Sequence, residues 1–212
     1  MHDREELRTR YSERLPQLDE LREGLATETE NILEDLSHID RISFRVKDPD
    51  RFVEKVCERT PPDAYEEPLR EVEDQVAGRI LVFFRDDLQL VMDAICKEFT
   101  SVELRRKAPR TTEFGYESDH SIFVIPPQVQ LPGWKDNPTA PATFELQVRT
   151  LFQHAWAEPQ HDLGYNSKNA LSGESQRELA WAAASAWGAD QALQRVARRL
   201  IDGSQSDPNQ PT

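Results

Sequence analysis

Cysteine is scarce in this sequence, and its scarcity excludes two classes of small protein. Among 212 residues there are two cysteines, Cys57 and Cys96, which do not form a C-x-x-C pair. Neither a disulfide framework nor a zinc ribbon can be built from them, because both need several cysteines at short, regular spacings. The chain also has only eight glycines, which excludes collagen-like and Gly/Ser-repeat architectures.

Long apolar runs are absent as well. No stretch approaches the roughly 20 consecutive apolar residues that a helix needs to cross a bilayer. The first residues read MHDREE and lack the apolar segment of a secretory signal peptide. We therefore expect a cytoplasmic protein that has no membrane partner.

Basic residues are outnumbered by acidic ones. The chain has 26 lysines and arginines against 39 aspartates and glutamates, a net charge of −13, and only six of the basic residues are lysines. This balance disfavours nonspecific binding to nucleic acids or to anionic membranes. It remains compatible with a local basic pocket formed by a few converging side chains.

The spacing of apolar residues predicts both helices and strands. A period of three to four over residues 3–36 predicts a helical segment that Pro16 divides into two helices. Alternating or continuous apolar runs predict strands, and proline-rich stretches predict loops. The expected strands lie at 42–47, 80–84, 101–107, 121–125 and 143–148, the other helices at 50–58, 86–99, 150–162 and 175–201, and the loops at 60–70 and 126–141. This order predicts an α/β or α+β sandwich whose mixed sheet has about four or five strands.

The first cluster of chemical interest is basic. Arg45 and Lys47 lie two positions apart on an expected strand, so their side chains point to the same face. Lys55 lies one helix further on and is placed to converge with them. Arginine and lysine held on a rigid strand suit a polyphosphate, although ordinary surface charges on a solvated strand face explain the same pattern.

The second cluster surrounds the most apolar strand. Asp74 comes shortly before this strand, where an aspartate serves either as a turn cap or as a metal ligand at the edge of a sheet. Arg79 opens the strand, and its planar guanidinium group can stack on a nucleobase.

The third cluster is an alternating strand with one polar face. Glu145, Gln147 and Arg149 alternate with apolar residues, so the three polar side chains share one face. A solvated face of an edge strand would show the same alternation. Together with Asp74, however, Glu145 offers the two carboxylates that Mg²⁺ accepts alongside substrate phosphates. Two carboxylates beside a cluster of arginine and lysine are the equipment of phosphoryl transfer.

Two aromatic or imidazole groups lie between these clusters. Tyr116 is suited to stacking on a nucleobase, and His120 begins an expected strand four residues later. The alternative interpretation is a core tyrosine and a histidine whose hydrogen bonds are satisfied within the fold.

A different constellation suggests a transition-metal site. His154, Glu158 and His161 follow the i, i+4, i+7 spacing of one helix face. Pro159 lies within the same helix, however, and the spacing matches no standard zinc-protease motif. We therefore favour packing or supporting roles for these three residues.

In combination and in order, the clusters resemble the synthetase domain of RelA/SpoT-type alarmone synthetases. The resemblance covers roughly residues 38–168. Its most specific part is the strand ELQVRT at 145–150 with the following helix, which carries HAWAE at 154–158 and HDLGY at 161–165. It implies an α+β fold, in which helices flank a mixed sheet of the nucleotidyltransferase type. The chain then divides into an N-terminal helical segment at 1–37, the synthetase core at 38–168, a C-terminal helix at 169–202 and a disordered tail at 203–212.

The resemblance implies transfer of the β,γ-pyrophosphate of ATP to the 3′-hydroxyl group of an acceptor nucleotide, with Mg²⁺ as the cofactor. On the donor side, Arg45 and Arg79 match the arginines that sandwich the adenine of ATP. Lys47 and Lys55 match the lysines that bind its phosphates. Asp74 matches the essential Mg²⁺ ligand.

On the acceptor side, Glu145 matches a glutamate that helps to hold Mg²⁺ and activates the 3′-hydroxyl group. Tyr116 matches the tyrosine that stacks on the acceptor base, and His120 matches a histidine of the acceptor and phosphate region. Gln147 and Arg149 lie beside that site. We expect Asp74→Asn or Glu145→Gln to abolish transfer while the fold survives.

One stretch departs from the family's pattern. Family members carry a lysine shortly before the Gly-Tyr pair, where it meets the 5′ phosphates of the acceptor, whereas residues 109–114 contain no lysine and include Glu113. The candidates for its replacement are Arg105, Arg106, Lys107 and Arg110.

This departure leaves the acceptor open. GDP or GTP, which would give (p)ppGpp in the stringent response, is the leading expectation because such acceptors are common in the family. The alternatives are a toxin-type synthetase that acts on adenosine nucleotides or on the 3′ end of tRNA, and a nucleotide-sensing module without turnover. A homo-oligomer and an antitoxin partner are compatible with the sequence.

Overall fold

The computed structural model describes residues 2–59, 61, 64–107, 118–166 and 172–204, with the side chains of 59, 105–107, 118–119, 160–166 and 201–204 excepted. The described part of the chain contains both helices and strands. Its helices are α1 (Arg4–Glu13), α2 (Leu15–Ile32), α3 (Pro49–Glu54), α4 (Pro68–Glu71), α5 (Arg85–Glu98), α6 (Leu151–Asn166) and α7 (Gly173–Ser204). Its strands are β1 (Ile39–Val46), β2 (Val76–Val82), β3 (Ser101–Lys107), β4 (Ser118–Val124) and β5 (Thr143–Thr150).

The strands form one mixed sheet in the order β1-β2-β5-β4-β3. Strands β2 and β5 are parallel, and the other neighbouring pairs are antiparallel. The expected mixed sheet is therefore confirmed. Strand β2 is an interior strand, as its apolar sequence predicted, because β1 and β5 pair with it on both sides.

One face of the sheet carries the hydrophobic core. Helices α2 and α5 pack on this face, and the aromatic rings of Phe99 and Phe123 lie 5.5 and 5.7 Å from that of Phe144. Gly78 has no room for a side chain there, because a Cβ atom would approach the ring of Phe44 to 2.5 Å and Leu146 to 2.7 Å. The opposite face of the same strands therefore remains for polar side chains.

Several element boundaries differ from the expected ones. Strand β2 ends at Val82, before Phe83 and Phe84, because the side chain of Asp87 accepts a hydrogen bond from the backbone of Phe84 and begins α5. Helix α3 continues as a π-helical turn at 55–59, and the short α4 begins within the expected loop 60–70 and ends at Glu71. Pro16 occupies the first turn of α2, where proline is tolerated.

The C-terminal helix also has different limits. Helix α7 spans Gly173–Ser204 rather than 169–202, so it includes the first two residues of the expected tail. The rest of the tail, 205–212, lies outside the described residues. None of the helices in the described ranges is long and apolar enough to cross a membrane.

Helix α7 is joined to the sheet by a buried carboxylate. Asp190, which is 1% exposed, accepts hydrogen bonds from the hydroxyl group of Thr150 at 3.0 Å and from Arg85 at 3.4 Å. Thr150 ends β5 and caps α6, since its hydroxyl oxygen accepts a hydrogen bond from the backbone of Gln153. Asp190 of α7 thus stabilises the junction between β5 and α6.

Candidate active site

Strand register brings the polar residues together on the face opposite the core. In one row, Arg45 pairs with Ala77, and Ala77 pairs with Glu145. The next row contains Ser43, Arg79, Gln147 and His120. Side chains of paired residues point to the same side of a sheet, so the predicted polar face of β5 continues across three neighbouring strands.

Asp74 is held between two lysines. Its Oδ2 atom lies 2.7 Å from Nζ of Lys47, and its Oδ1 atom lies 2.9 Å from Nζ of Lys55. Burial disfavours the charged form of Lys55, but the carboxylate of Asp74 outweighs it and raises the pKa of Lys55. Lys47 and Lys55 therefore converge as the sequence predicted, and their meeting point is the predicted metal ligand.

Glu145 is the centre of a second hydrogen-bonded group. Its Oε1 atom accepts a hydrogen bond from Nε2 of Gln147 and lies 3.2 Å from Nδ1 of His120. Burial alone would raise the pKa of Glu145. The hydrogen bonds from His120 and Gln147, together with the charge of Lys55, outweigh that effect and lower the pKa of the carboxyl group to about 2. Glu145 is therefore a stable anion with weak basicity.

A third group lies where α6 passes the sheet. Glu158 of α6 places its Oε1 atom 2.9 Å from Nη2 of Arg79 and 3.5 Å from Nη1 of Arg149. Arg149 is only 7% exposed. Burial and the nearby charge of Arg79 lower the pKa of Arg149 to about 10, although Glu158 opposes the shift. Two arginines therefore share one carboxylate at this end of the polar face.

The metal constellation suggested by the helix spacing has a different arrangement. Glu158 pairs with the two arginines, and Nδ1 of His154 lies 3.8 Å from it. Burial and the charge of Arg79 lower the pKa of His154. The side chain of His161 lies outside the described residues. Helix α6 continues through Pro159.

Most of the predicted site residues lie on this face, and one is not described. Arg45 is exposed beside Arg79 and, within the described ranges, forms no ion pair. Tyr116 and residues 108–117 as a whole lie outside the described residues, as do the side chains of 105–107. The structure therefore leaves the stacking role of Tyr116 and the replacement of the family's lysine as predictions.

Glu158 is the residue whose role sequence reasoning missed. The helix spacing suggested a metal ligand and favoured a packing or supporting role, but it did not indicate the pairing with Arg79 and Arg149. The available signal was the polar face of β5: an arginine nearly buried at the end of a strand needs a counter-charge, and the following helix is the nearest element that can supply one.

The carboxylates of Asp74 and Glu145 suit Mg²⁺ if a bound polyphosphate supplies further ligands. Within the described ranges there is no group of three or more His, Cys, Asp or Glu side chains that could hold a metal ion. Mg²⁺, however, is commonly bound through one or two carboxylates, with substrate phosphates and water completing the coordination. Asp74 and Glu145 are 18% and 15% exposed. The donor set therefore fits a cation that arrives with, and is shared by, a bound polyphosphate.

Comparison with known proteins agrees with this geometry. The family described as "Region found in RelA / SpoT proteins" matches residues 44–170. GTP pyrophosphokinase YjbM of Bacillus subtilis is 33% identical over 137 residues, which cover 62% of this chain and 59% of the relative. The aligned region thus spans less than two thirds of that relative's length.

Solved structures show the same fold. The small alarmone synthetase 1 from Bacillus subtilis superposes with a TM-score of 0.74 at 24% identity, covering 91% of this chain and 98% of that chain. The same synthetase bound to its product pppGpp gives a TM-score of 0.69 at 25% identity, covering 92% and 96%. The protein smu.1046c from Streptococcus mutans UA159 gives 0.70 at 23% identity, covering 90% and 98%. The expected α+β fold is thereby confirmed. Because the family model matches residues 44–170, more than half of the chain, the chain belongs to the RelA/SpoT family.

Proposed function

We propose that this protein is a pyrophosphokinase that transfers the β,γ-pyrophosphate of ATP to the 3′-hydroxyl group of GDP or GTP and so makes (p)ppGpp. The observation that carries the proposal is the convergence of two lysines on Asp74 beside Glu145. Phosphoryl-type transfer requires charge neutralisation and positioning more than a covalent intermediate. This group offers both, because Glu145 lies on β5, Lys47 directly follows β1 and Asp74 lies two residues before β2.

The reaction makes one bond and breaks one bond. The 3′ oxygen of the acceptor attacks the β-phosphorus of ATP, and the bond between that phosphorus and the oxygen bridging to the α-phosphate breaks. AMP leaves with this bridging oxygen, and the hydroxyl proton passes to solvent. Glu145 has a pKa of about 2 in its present surroundings, so we assign it to orienting the hydroxyl group and to the cation rather than to full removal of the proton.

Asp74 and Glu145 are the residues that would hold Mg²⁺. When bound, the cation supplies charge neutralisation at the transferred pyrophosphate. Lys47 and Lys55 leave Asp74 for the phosphates of ATP, which offer more negative charge than one carboxylate. Arg45 and Arg79 flank the adenine, and their guanidinium planes suit stacking on a base.

The relatives support the choice of nucleotide. YjbM is named a GTP pyrophosphokinase, and small alarmone synthetase 1 binds pppGpp as its product and also binds AMPCPP, an analogue of ATP. We propose that ATP is the donor here and that a guanosine nucleotide is the acceptor. Because both are cytoplasmic metabolites, we propose the cytoplasm as the location of the reaction.

A transfer assay with several acceptors tests the proposal. The full chain, Mg²⁺ and ATP labelled in the γ-phosphate are incubated in parallel with GDP, GTP, ATP and deacylated tRNA. We expect the label to move to GDP or GTP. Label on tRNA or on an adenosine nucleotide, with none on a guanosine nucleotide, would show that the acceptor is not GDP or GTP. Tight nucleotide binding without any transfer would show that the protein is a nucleotide sensor and not an enzyme.

A further inference from the structure

The carboxylate of Glu158 occupies an unusual position between two strands. A single oxygen, Oε1, is shared by Arg79 on β2 at 2.9 Å and Arg149 on β5 at 3.5 Å. Within the described ranges, neither arginine has another ion-pair partner. One side chain from α6 is therefore the counter-charge for both Arg79 and Arg149.

The arginines are incompletely satisfied by these contacts. The Nε atoms of Arg79 and Arg149 are both buried, and neither has a hydrogen-bond partner among the described residues. Buried donors without partners are rare in folded proteins. Each guanidinium group thus contacts Glu158 through one Nη atom and keeps a buried Nε atom that pairs with no described residue.

Electrostatics explains why the pair needs Glu158. Arg149 is nearly buried, and the adjacent charge of Arg79 disfavours its protonated form. Without a carboxylate between them, the two guanidinium groups would repel each other in surroundings of low dielectric constant. The Arg79 side chain would turn away first, since it is 25% exposed against 7% for Arg149 and loses less by moving into water.

The support of Glu158 is itself rigid. Helix α6 begins at the cap formed by Thr150 and Gln153, and Asp190 of α7 binds the hydroxyl group of Thr150. The start of the helix that carries Glu158 is therefore fixed relative to β5. A counter-ion carried by a helix anchored in this way favours one orientation of a planar guanidinium group, which is what stacking on a base requires.

We infer that Glu158 is a positioning residue that fixes the guanidinium plane of Arg79 for the adenine of the donor nucleotide. The inference rests on the proposed function, because it takes Arg79 as an adenine-binding residue. Glu158 contributes to recognition of the base and not to recognition of the phosphates, which is assigned to Lys47 and Lys55.

Calorimetric titration of the full chain in the presence of Mg²⁺ measures binding of the base and binding of the phosphates with two different probes. The probes are AMPCPP, which has the base, and inorganic tripolyphosphate, which has only the phosphates. The variant is Glu158→Gln, which keeps the size of the side chain and removes its charge. The matched control is Asp50→Asn, which removes an exposed carboxylate that pairs with Arg8 away from the site.

We expect Glu158→Gln to weaken AMPCPP binding about tenfold, in the range of a lost cation–π contact, and to leave tripolyphosphate binding unchanged. Asp50→Asn should change neither affinity. In an Arg79→Ala background, Glu158→Gln should have no further effect on AMPCPP, because residues that act through one another are non-additive. Glu158→Asp keeps the charge but shortens the side chain by one methylene group, so it should weaken AMPCPP binding less and leave tripolyphosphate binding unchanged. This variant replaces Glu158→Gln in the test if Glu158→Gln does not fold.

Two results would overturn the inference. One is wild-type affinity for AMPCPP in a folded Glu158→Gln protein. The other is an equal loss of affinity for both probes, which would indicate a general disturbance of the site. Wild-type protein that binds AMPCPP but transfers nothing would refute the proposed function alone, and wild-type protein that binds no AMPCPP would refute both.

Discussion

The Nζ atom of Lys47 lies 2.7 Å from the Oδ2 atom of Asp74, and the second oxygen of the same carboxylate is taken by Lys55. The lysines proposed to bind phosphate and the proposed metal ligand thus neutralise one another in the protein without nucleotide. Binding of a nucleotide with its cation must exchange these partners. The exchange makes cation binding and nucleotide binding depend on each other.

Mg²⁺ alone should therefore stabilise the protein very little. We expect no appreciable rise in the melting temperature with Mg²⁺, a modest rise with AMPCPP, and a rise with both that exceeds the sum of the two. The physical reason is that phosphates draw the lysines from Asp74 and free its oxygens for the cation. Thermal unfolding followed by circular dichroism measures this, and a large rise with Mg²⁺ alone would contradict it.

Asp74→Asn should remove activity and spare the fold. We expect transfer to fall at least about a hundredfold, because the cation that neutralises the pyrophosphate loses a charged ligand. Asp93→Asn is the matched control, since Asp93 is an exposed carboxylate of α5. Near wild-type transfer by a folded Asp74→Asn protein would refute the metal assignment.

Glu145 should contribute to the acid sensitivity of the fold. Its pKa is lowered from 4.5 to about 2, so its stabilising contribution is complete above about pH 4.5 and is lost as the pH falls from there toward 2. Between pH 6 and pH 3 this loss amounts to about 2 kcal/mol. The Glu145→Gln variant has no such pH-dependent contribution, because its side chain carries no ionisable group.

Urea unfolding of wild-type protein and Glu145→Gln near both pH values tests this prediction. The difference between their free energies of unfolding should shrink by about 2 kcal/mol on going to the lower pH. A difference that is the same at both pH values would show that His120 and Gln147 do not favour the charged carboxylate.

Gly78→Ala should destabilise the sheet. The added Cβ atom would lie 2.5 Å from the ring of Phe44 and 2.7 Å from Leu146, and overpacking of this kind costs about 1–3 kcal/mol in free energy of unfolding. Gly188→Ala is the control, because a Cβ atom there meets nothing within 4 Å and alanine favours a helix interior. Equal stability of the two variants in urea would contradict the packing argument.

Local patterns predicted the sheet and much of its polar face. Alternation in β5 placed Glu145, Gln147 and Arg149 on one side, and the two-residue period of a strand makes that inference independent of the rest of the fold. The convergence of Lys55 with the first strand was also predicted, because a single helix separates them. These features depend on neighbours along the chain or on one strand pairing.

Contacts between distant segments were not predictable in the same way. The pairing of Glu158 with Arg79 depends on where α6 crosses β2, and the bond from Asp190 to Thr150 depends on how α7 packs. Strand β2 also ended earlier than its apolar run, since the cap from Asp87 overrode the β propensity of Phe83 and Phe84.

The most direct test of the central claim follows both transferred phosphates. ATP labelled in the β-phosphate and ATP labelled in the γ-phosphate are supplied in separate reactions with GDP and Mg²⁺, and AMP release is measured in each. The proposed pyrophosphoryl transfer predicts that both labels enter the product in equal amounts, with one AMP released for each product molecule. Entry of the γ label alone, with ADP as the by-product, would contradict it.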